Sequence, residues 1–172
     1  MNFHEKRTII TSVMGILVTL SYLIYAVITY NKGTTESLSL KFWATSMLIF
    51  IGIGVVAIIV VLILFHIFYS IQLAYRLKID NPEMSDKEIE EKISQMIKID
   101  TREDEMGKLI ELKSMRIGFA FAGVGFVLAL VSLLFNYSPI IMINILFLSF
   151  SLGSALEGFV QLYYYRRGIH HA

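Results

Sequence analysis

Residues 101–117, TREDEMGKLIELKSMRI, run from a dense cluster of charges directly into an apolar stretch. Two long hydrophobic segments precede this region and two follow it. It is therefore both the centre of the only sizeable polar region and the lead-in to a third membrane helix. A spanning helix needs about 20 apolar residues, and residues 8–30, 42–75, 117–137 and 139–165 each supply them. Residues 42–75 hold no Asp, Glu, Lys or Arg and would form a helix about 51 Å long at about 1.5 Å per residue. That exceeds a hydrocarbon core of about 30 Å, so this helix tilts, projects into the aqueous phase, or both. The expected fold is all-α: a four-helix transmembrane bundle of two hairpins in one membrane domain over 1–172, with a helical cytoplasmic loop at 76–116.

Composition agrees. Over 172 residues, 56% are hydrophobic and the mean hydropathy is +0.67, above the globular norm and gathered in blocks. A net charge of +1 gives no basic field for nucleic acid. The absence of cysteine excludes disulfides, thiol catalysis and Cys-based metal sites. MNFHEKR followed by an apolar run resembles a signal peptide. The uncharged stretch 8–31 is longer than a signal core of roughly 7–15 residues and ends without an A-x-A-like cleavage site, so a retained helix is expected.

Orientation follows from Lys and Arg. Lys6, Arg7, nine basic residues from Arg76 to Arg116, and Arg166-Arg167 fall on one side, against Lys32 and Lys41 on the other. The positive-inside rule places both termini and the central loop in the cytoplasm. Trp43, Tyr30 and Tyr137 belong to the outer aromatic belt; Tyr69, Tyr75 and Tyr163 to Tyr165 belong to the inner one.

Within the loop, Ser85-Asp86-Lys87-Glu88 reads as a capping box, with Met84 and Ile89 as its hydrophobic staple. Ile89, Ile93, Met96 and Ile97 continue at helical spacing. Their apolar stripe could pack on the second cytosolic helix, lie on the membrane or meet another chain. The acidic polar face, with Asp86, Glu88, Glu90 and Glu91, favours protein over lipid. Thr101 with Asp104 can cap a second helix that runs on into the third span, weakened slightly by Gly107.

Small and polar residues recur in a 3–4 alternation on three spans: Ser12, Gly15, Thr19, Tyr22, Ala26 and Thr29; Gly118, Ala122, Gly125, Ala129, Ser132 and Asn136; Asn144, Ser151, Ser154, Gly158 and Gln161, with Phe147 filling one step. Helices in lipid associate through such close backbone approach and through interhelical hydrogen bonds, and this spacing predicts left-handed crossings in a compact bundle.

Glu157 is the only acidic residue inside a span, where an ionisable group is a default functional candidate. Counting back from Arg166 and Arg76 places Glu157 about 13 Å and His66 about 15 Å from the inner helix ends. With Gln161, Tyr69 and Gln72 they form an expected intramembrane polar site. It serves either proton- or ligand-coupled work or a hydrogen bond pinning the second span to the fourth. No HExxH, G-x-S-x-G, Walker or G-x-G-x-x-G motif is present, so no enzyme, cofactor or metal site is expected. His170-His171 lack accompanying carboxylates, and the acidic residues near 103–111 are offset by Arg102, Lys108 and Lys113, with Asp104 and Lys108 at i,i+4.

DEMGKLIELKSMRI at 104–117 resembles a motif, roughly D-E-x-x-x-L-I-E-x-K-x-x-R, of small four-span membrane proteins of Gram-positive bacteria. YYYRRG at 163–168 is similar as well. The resemblance implies the same topology and a bacterial plasma membrane; it implies no activity. A charged cytoplasmic partner-binding face is expected at Glu103, Asp104, Glu105, Lys108, Glu111, Lys113 and Arg116. The leading expectation is a non-enzymatic accessory, sensory or immunity-type component that contacts a cytoplasmic or membrane protein. The alternative is a small transporter or ion-coupled carrier using Glu157 and His66. That role would call for a homodimer, whose interface the small-residue stripe of the first span could supply.

Overall fold

A computed structural model describes residues 3–33, 39–100 and 105–168. The fold is all-α, with helices α1 (Phe3–Lys32), α2 (Leu40–Asp80), α3 (Asp86–Asp100), α4 (Glu105–Leu134) and α5 (Pro139–Arg167). All but α3 are long and apolar enough to cross a membrane; the chain is a multi-pass membrane protein. α1, α2 and α4 begin or end several residues beyond their apolar cores, because hydrogen bonding does not stop where hydropathy does, while α4 stops at Leu134, short of the expected 137. The charged lead-in and third span form one unbroken helix from Glu105. The Thr101–Asp104 cap, Glu103 and His170-His171 lie outside the described residues.

Helix ends follow local chemistry. The Ser39 hydroxyl accepts from the Phe42 amide at 3.4 Å. Between α4 and α5, Asn136 takes φ 59° while the Tyr137 amide donates to the Ser132 carbonyl at 3.1 Å, a Schellman-type ending. Ser138 then caps α5, with Pro139 in its first turn. At α3 the capping box is complete: the Ser85 amide donates to Glu88 at 2.9 Å and the Glu88 amide donates to the Ser85 hydroxyl at 3.4 Å.

The spans form a row, α2–α1–α5–α4, with α2 also leaning lightly on α5. This is more open than the compact bundle expected from the three stripes. α4 packs principally on α5, where the α4 stripe meets Ser149 and Gly153 and not the expected α5 stripe, whose Asn144, Gly158 and Gln161 face α1. Gly118, Ala122, Gly125, Ala129 and Ser132 are all buried. A Cβ added at Gly118 would stand 2.7 Å from the Gly153 carbonyl oxygen, and one at Gly125 would collide with Ser149. Only residues without a Cβ let the two backbones approach so closely. The outer face of α4, including Phe119 and Phe126, is left exposed to lipid.

The stripe of α1 turns onto α5 instead. Ser12 fills the space at Gly158, and buried Tyr22 donates to Asn144 Oδ1 at 2.6 Å. Ser12 and Tyr22 of the stripe are thus occupied within the chain, while Gly15 borders open space. α3 packs on α2, with no comparable contact to the first turns of α4 among the described residues; Ile89 is buried and Lys78 pairs with Asp86 at 2.6 Å. The five-residue connection from Asp80 to Asp86 keeps α3 beside the helix it leaves.

Candidate functional site

Glu157 and His66 are not brought together. His66 is exposed, its Nδ1 lies 3.1 Å from the Leu62 carbonyl oxygen, and its ring stands 5.6 Å from that of Phe3. Tyr69 joins the same collar, 5.1 Å from Phe3, and Gln72 is exposed further along α2. Glu157 faces a different level. Its neighbour Gly158 lies against Ser12, nine residues along α1 from Phe3, or about 13 Å. Counting from Arg76 misplaced His66 because α2 overshoots the bundle. Arg166 is level with Glu5, to which its Nε donates at 3.0 Å, whereas Arg76 lies well beyond His66, the residue that is level with Phe3.

Glu157 and Gln161 instead line a cavity of about 360 Å³ between α1, α2 and α5. The α1 wall is Thr11, Ser12, Gly15, Val18 and Thr19. The α2 wall is Phe50, Ile51, Gly54, Val55 and Ile58. From α5 come Phe147, Ser151, Ser154, Ala155 and Gly158. One end is closed by an aromatic cluster in which Tyr22 lies 5.2 Å from Phe50 and 4.2 Å from Phe147. Towards the other end, Thr8 donates to Gln161 Oε1 at 3.0 Å. Ile51, Val55 and Ser154 on the rim are exposed. Because these residues lie within the spans, the opening is lateral, towards the hydrocarbon.

Cavity and seam meet at Glu157: its Oε2 would be 3.4 Å from a Cβ placed at Gly118 on α4. The carboxylate is half-buried, makes no hydrogen bond or ion pair among the described residues, and shares the cavity with no Lys, Arg or His. Thr11, Thr19 and Ser151 return their hydroxyl protons to backbone carbonyls one turn back, an arrangement that leaves oxygen lone pairs directed outward. The site can accept hydrogen bonds and oppose positive charge within an apolar wall.

Of the five residues expected in the intramembrane site, the structure keeps two and replaces three with hydroxyls. Ser12, Thr19, Ser151 and Ser154 stood out in the sequence only as packing positions, and Thr11 did not stand out. Their common feature was visible: hydroxyls on one face of each of two spans, at positions 11, 12 and 19 and at 151 and 154, the second span also carrying Glu157.

On the charged segment, Glu105, Lys108, Lys113 and Arg116 are exposed and Glu111 is half-buried; Asp104 lies outside the described residues. Among the described residues no cluster of metal-ligating side chains occurs. No protein-family model, curated protein or solved structure matches the chain.

Proposed function

We propose that the protein acts by binding and not by catalysis, holding a small lipophilic molecule in the lateral cavity between α1, α2 and α5. The observation that carries this is the cavity: polar groups gathered at membrane depth and open towards lipid, beside an apolar wall. Its size falls in the range of small-molecule sites, about 300–1,000 Å³. With both termini cytoplasmic, as the distribution of Lys and Arg supports, the cavity lies in the inner half of a bacterial plasma membrane. A sensory component or a carrier would each use such a site.

Photolabelling in lipid vesicles with an uncharged alkyl diazirine tests the reading. Adducts should concentrate at Ile51, Val55 and Ser154, relative to lipid-facing Phe119 and Phe126 on α4. Gly54→Leu, which fills the cavity, should remove the enrichment. Uniform labelling of all lipid-facing positions, or enrichment untouched by Gly54→Leu, would sink it.

A second reading concerns the charged face of α4. Because α3 docks on α2, Glu105, Lys108, Lys113 and Arg116 stay uncovered and available to a protein partner, and α4 carries them rigidly to the Gly118 contact beside Glu157. Affinity capture from native membranes should recover a partner that is lost when Lys108 and Lys113 are reversed to Glu. Recovery unaffected by the reversal removes this face from consideration.

A further inference from the structure

We infer that the cavity selects an amphipathic organic cation, a protonated amine or quaternary ammonium on an apolar body, with Glu157 as its counter-charge. This deepens the proposed binding function and rests on it. Three features of the cavity converge on that chemistry.

The first is charge. Glu157 is the only ionisable group among the lining residues, and the charged side chain that acts on it from α4 is another carboxylate, Glu111. The local field is therefore negative, in a region where lipid and protein screen it weakly. An anion would be repelled, and a neutral molecule would leave the carboxylate as costly as before.

The second is the wall. Phe50 and Phe147 line the cavity alongside Val18, Ile51, Val55 and Ile58, and an aromatic face attracts a cation that has shed its water. Apolar side chains reward the body of the ligand, while the ring faces and Glu157 reward its charge.

The third is the array of oxygens. Ser12 and Ser154, like Glu157, make no hydrogen bond among the described residues. Thr11, Thr19 and Ser151 spend their protons on the backbone and so present acceptors. A protonated amine can donate to all of these oxygens and the positive pole of a quaternary ammonium is met by their lone pairs, while only Ser12 and Ser154 keep a proton to offer an anion that Glu157 would repel.

The test uses the full chain in nanodiscs of zwitterionic lipid, so that the bilayer surface does not itself concentrate cations. Benzyltrimethylammonium and neopentylbenzene have the same shape and differ by the exchange of charged nitrogen for carbon. Each competes with the alkyl diazirine for adducts at Ile51, Val55 and Ser154. The cation should protect these positions at a concentration about tenfold lower than its neutral counterpart, a factor in the range of a desolvated cation–π contact and an ion pair. Glu157→Gln should bring the ratio of the two protecting concentrations close to one. Ser154→Lys, made at an exposed rim position one turn from Glu157, should do the same by supplying the cation internally, and it serves if Glu157→Gln fails to fold. Equal protection by both compounds in the wild type, or a preference that survives both variants, overturns the cation inference while leaving lipophile binding in place. Failure of both compounds to protect, with labelling uniform over all lipid-facing positions, overturns the binding function itself.

Discussion

The two halves of this membrane domain are held together by different physics. Along the α4–α5 seam, Gly118 meets Gly153 and Gly125 meets Ser149 with no room for another carbon. In the wedge of α1, α2 and α5, Gly15 and Gly52 have nothing within 4 Å of where a Cβ would stand, and Gly54 has only Val18 at 3.6 Å. There the helices are tied by side chains: Tyr22 to Asn144, Thr8 to Gln161, Tyr25 to Ser46 at 3.0 Å, and Glu5 to Arg166. Small residues close a seam only when the facing helix offers small residues at the same level. α4 and α5 satisfy that condition where Gly118 and Ala122 face Gly153 and Gly125 faces Ser149. α2 presents Phe50, Ile51, Val55 and Ile58 to its neighbours, and a gap remains where they fail to interlock. The glycines of the seam are therefore contacts, whereas in the other half Gly158 alone is one, against Ser12, and Gly15 and Gly54 border open space.

The largest expected effect comes from breaking the seam. Gly118→Leu drives a side chain into the Gly153 backbone, which cannot rotate away, and should destabilise the fold by about 3 kcal/mol. Gly54→Ala, by contrast, meets only ordinary contact and should be neutral or stabilise by up to about 1 kcal/mol through helix propensity. Thermal unfolding in detergent reads both, and equal effects would erase the distinction between the halves.

In the wedge, Arg166→Gln leaves Glu5, whose side chain is only 12% exposed, without its cation. Because Arg166 itself is 64% exposed, solvent screening limits the loss to about 1 kcal/mol. The loss should shrink at high salt, whereas the seam variant should not respond to salt. Smaller still is Tyr22→Phe, which removes one interhelical hydrogen bond and should cost about 0.6 kcal/mol, the average for such bonds in membranes.

The gentlest perturbation acts on α3, the element that packs on the C-terminal end of α2. The Lys78 ammonium, through its hydrogen bond and its charge, holds the Asp86 carboxyl below the usual range. Bonds from the Ser85 amide and hydroxyl do the same for Glu88. Carboxyls depressed in this way favour the docked, capped helix at pH values above their ordinary pKa. That contribution is lost as the pH falls through the lower folded values. Since the chain has no cysteine, a spin-label pair introduced at Lys92 and Tyr75 reports the α2–α3 distance alone. It should lengthen on acidification, and Asp86→Asn should shift the transition; a distance constant down to acid pH would contradict it.

Several features were fixed by the chain itself. Four long apolar runs, three of them free of Asp, Glu, Lys and Arg and the fourth broken only by Glu157, specify four spans because the bilayer admits only helices with their backbone bonds satisfied. The small-residue spacing of α4 specifies its close-packed face, because helical geometry assigns every residue an angle about its own axis; on α5 the face that meets α4 holds Ser149 and Gly153, outside the spacing expected there. Ser85 and Glu88 specify the start of α3, because a cap is local chemistry. What sequence periodicity cannot assign is the neighbour that each face will meet. The α1 stripe fits a second copy as well as it fits α5, and the Ile89 stripe fits α4 as well as α2. Tertiary packing decided both. The same packing separated His66 from Glu157, since residue counting gives a position along one helix and says nothing of how far that helix slides past the next. It also created the cavity, which belongs to no single helix: it exists because the α2 side chains fail to fill the groove that α1 and α5 leave between them.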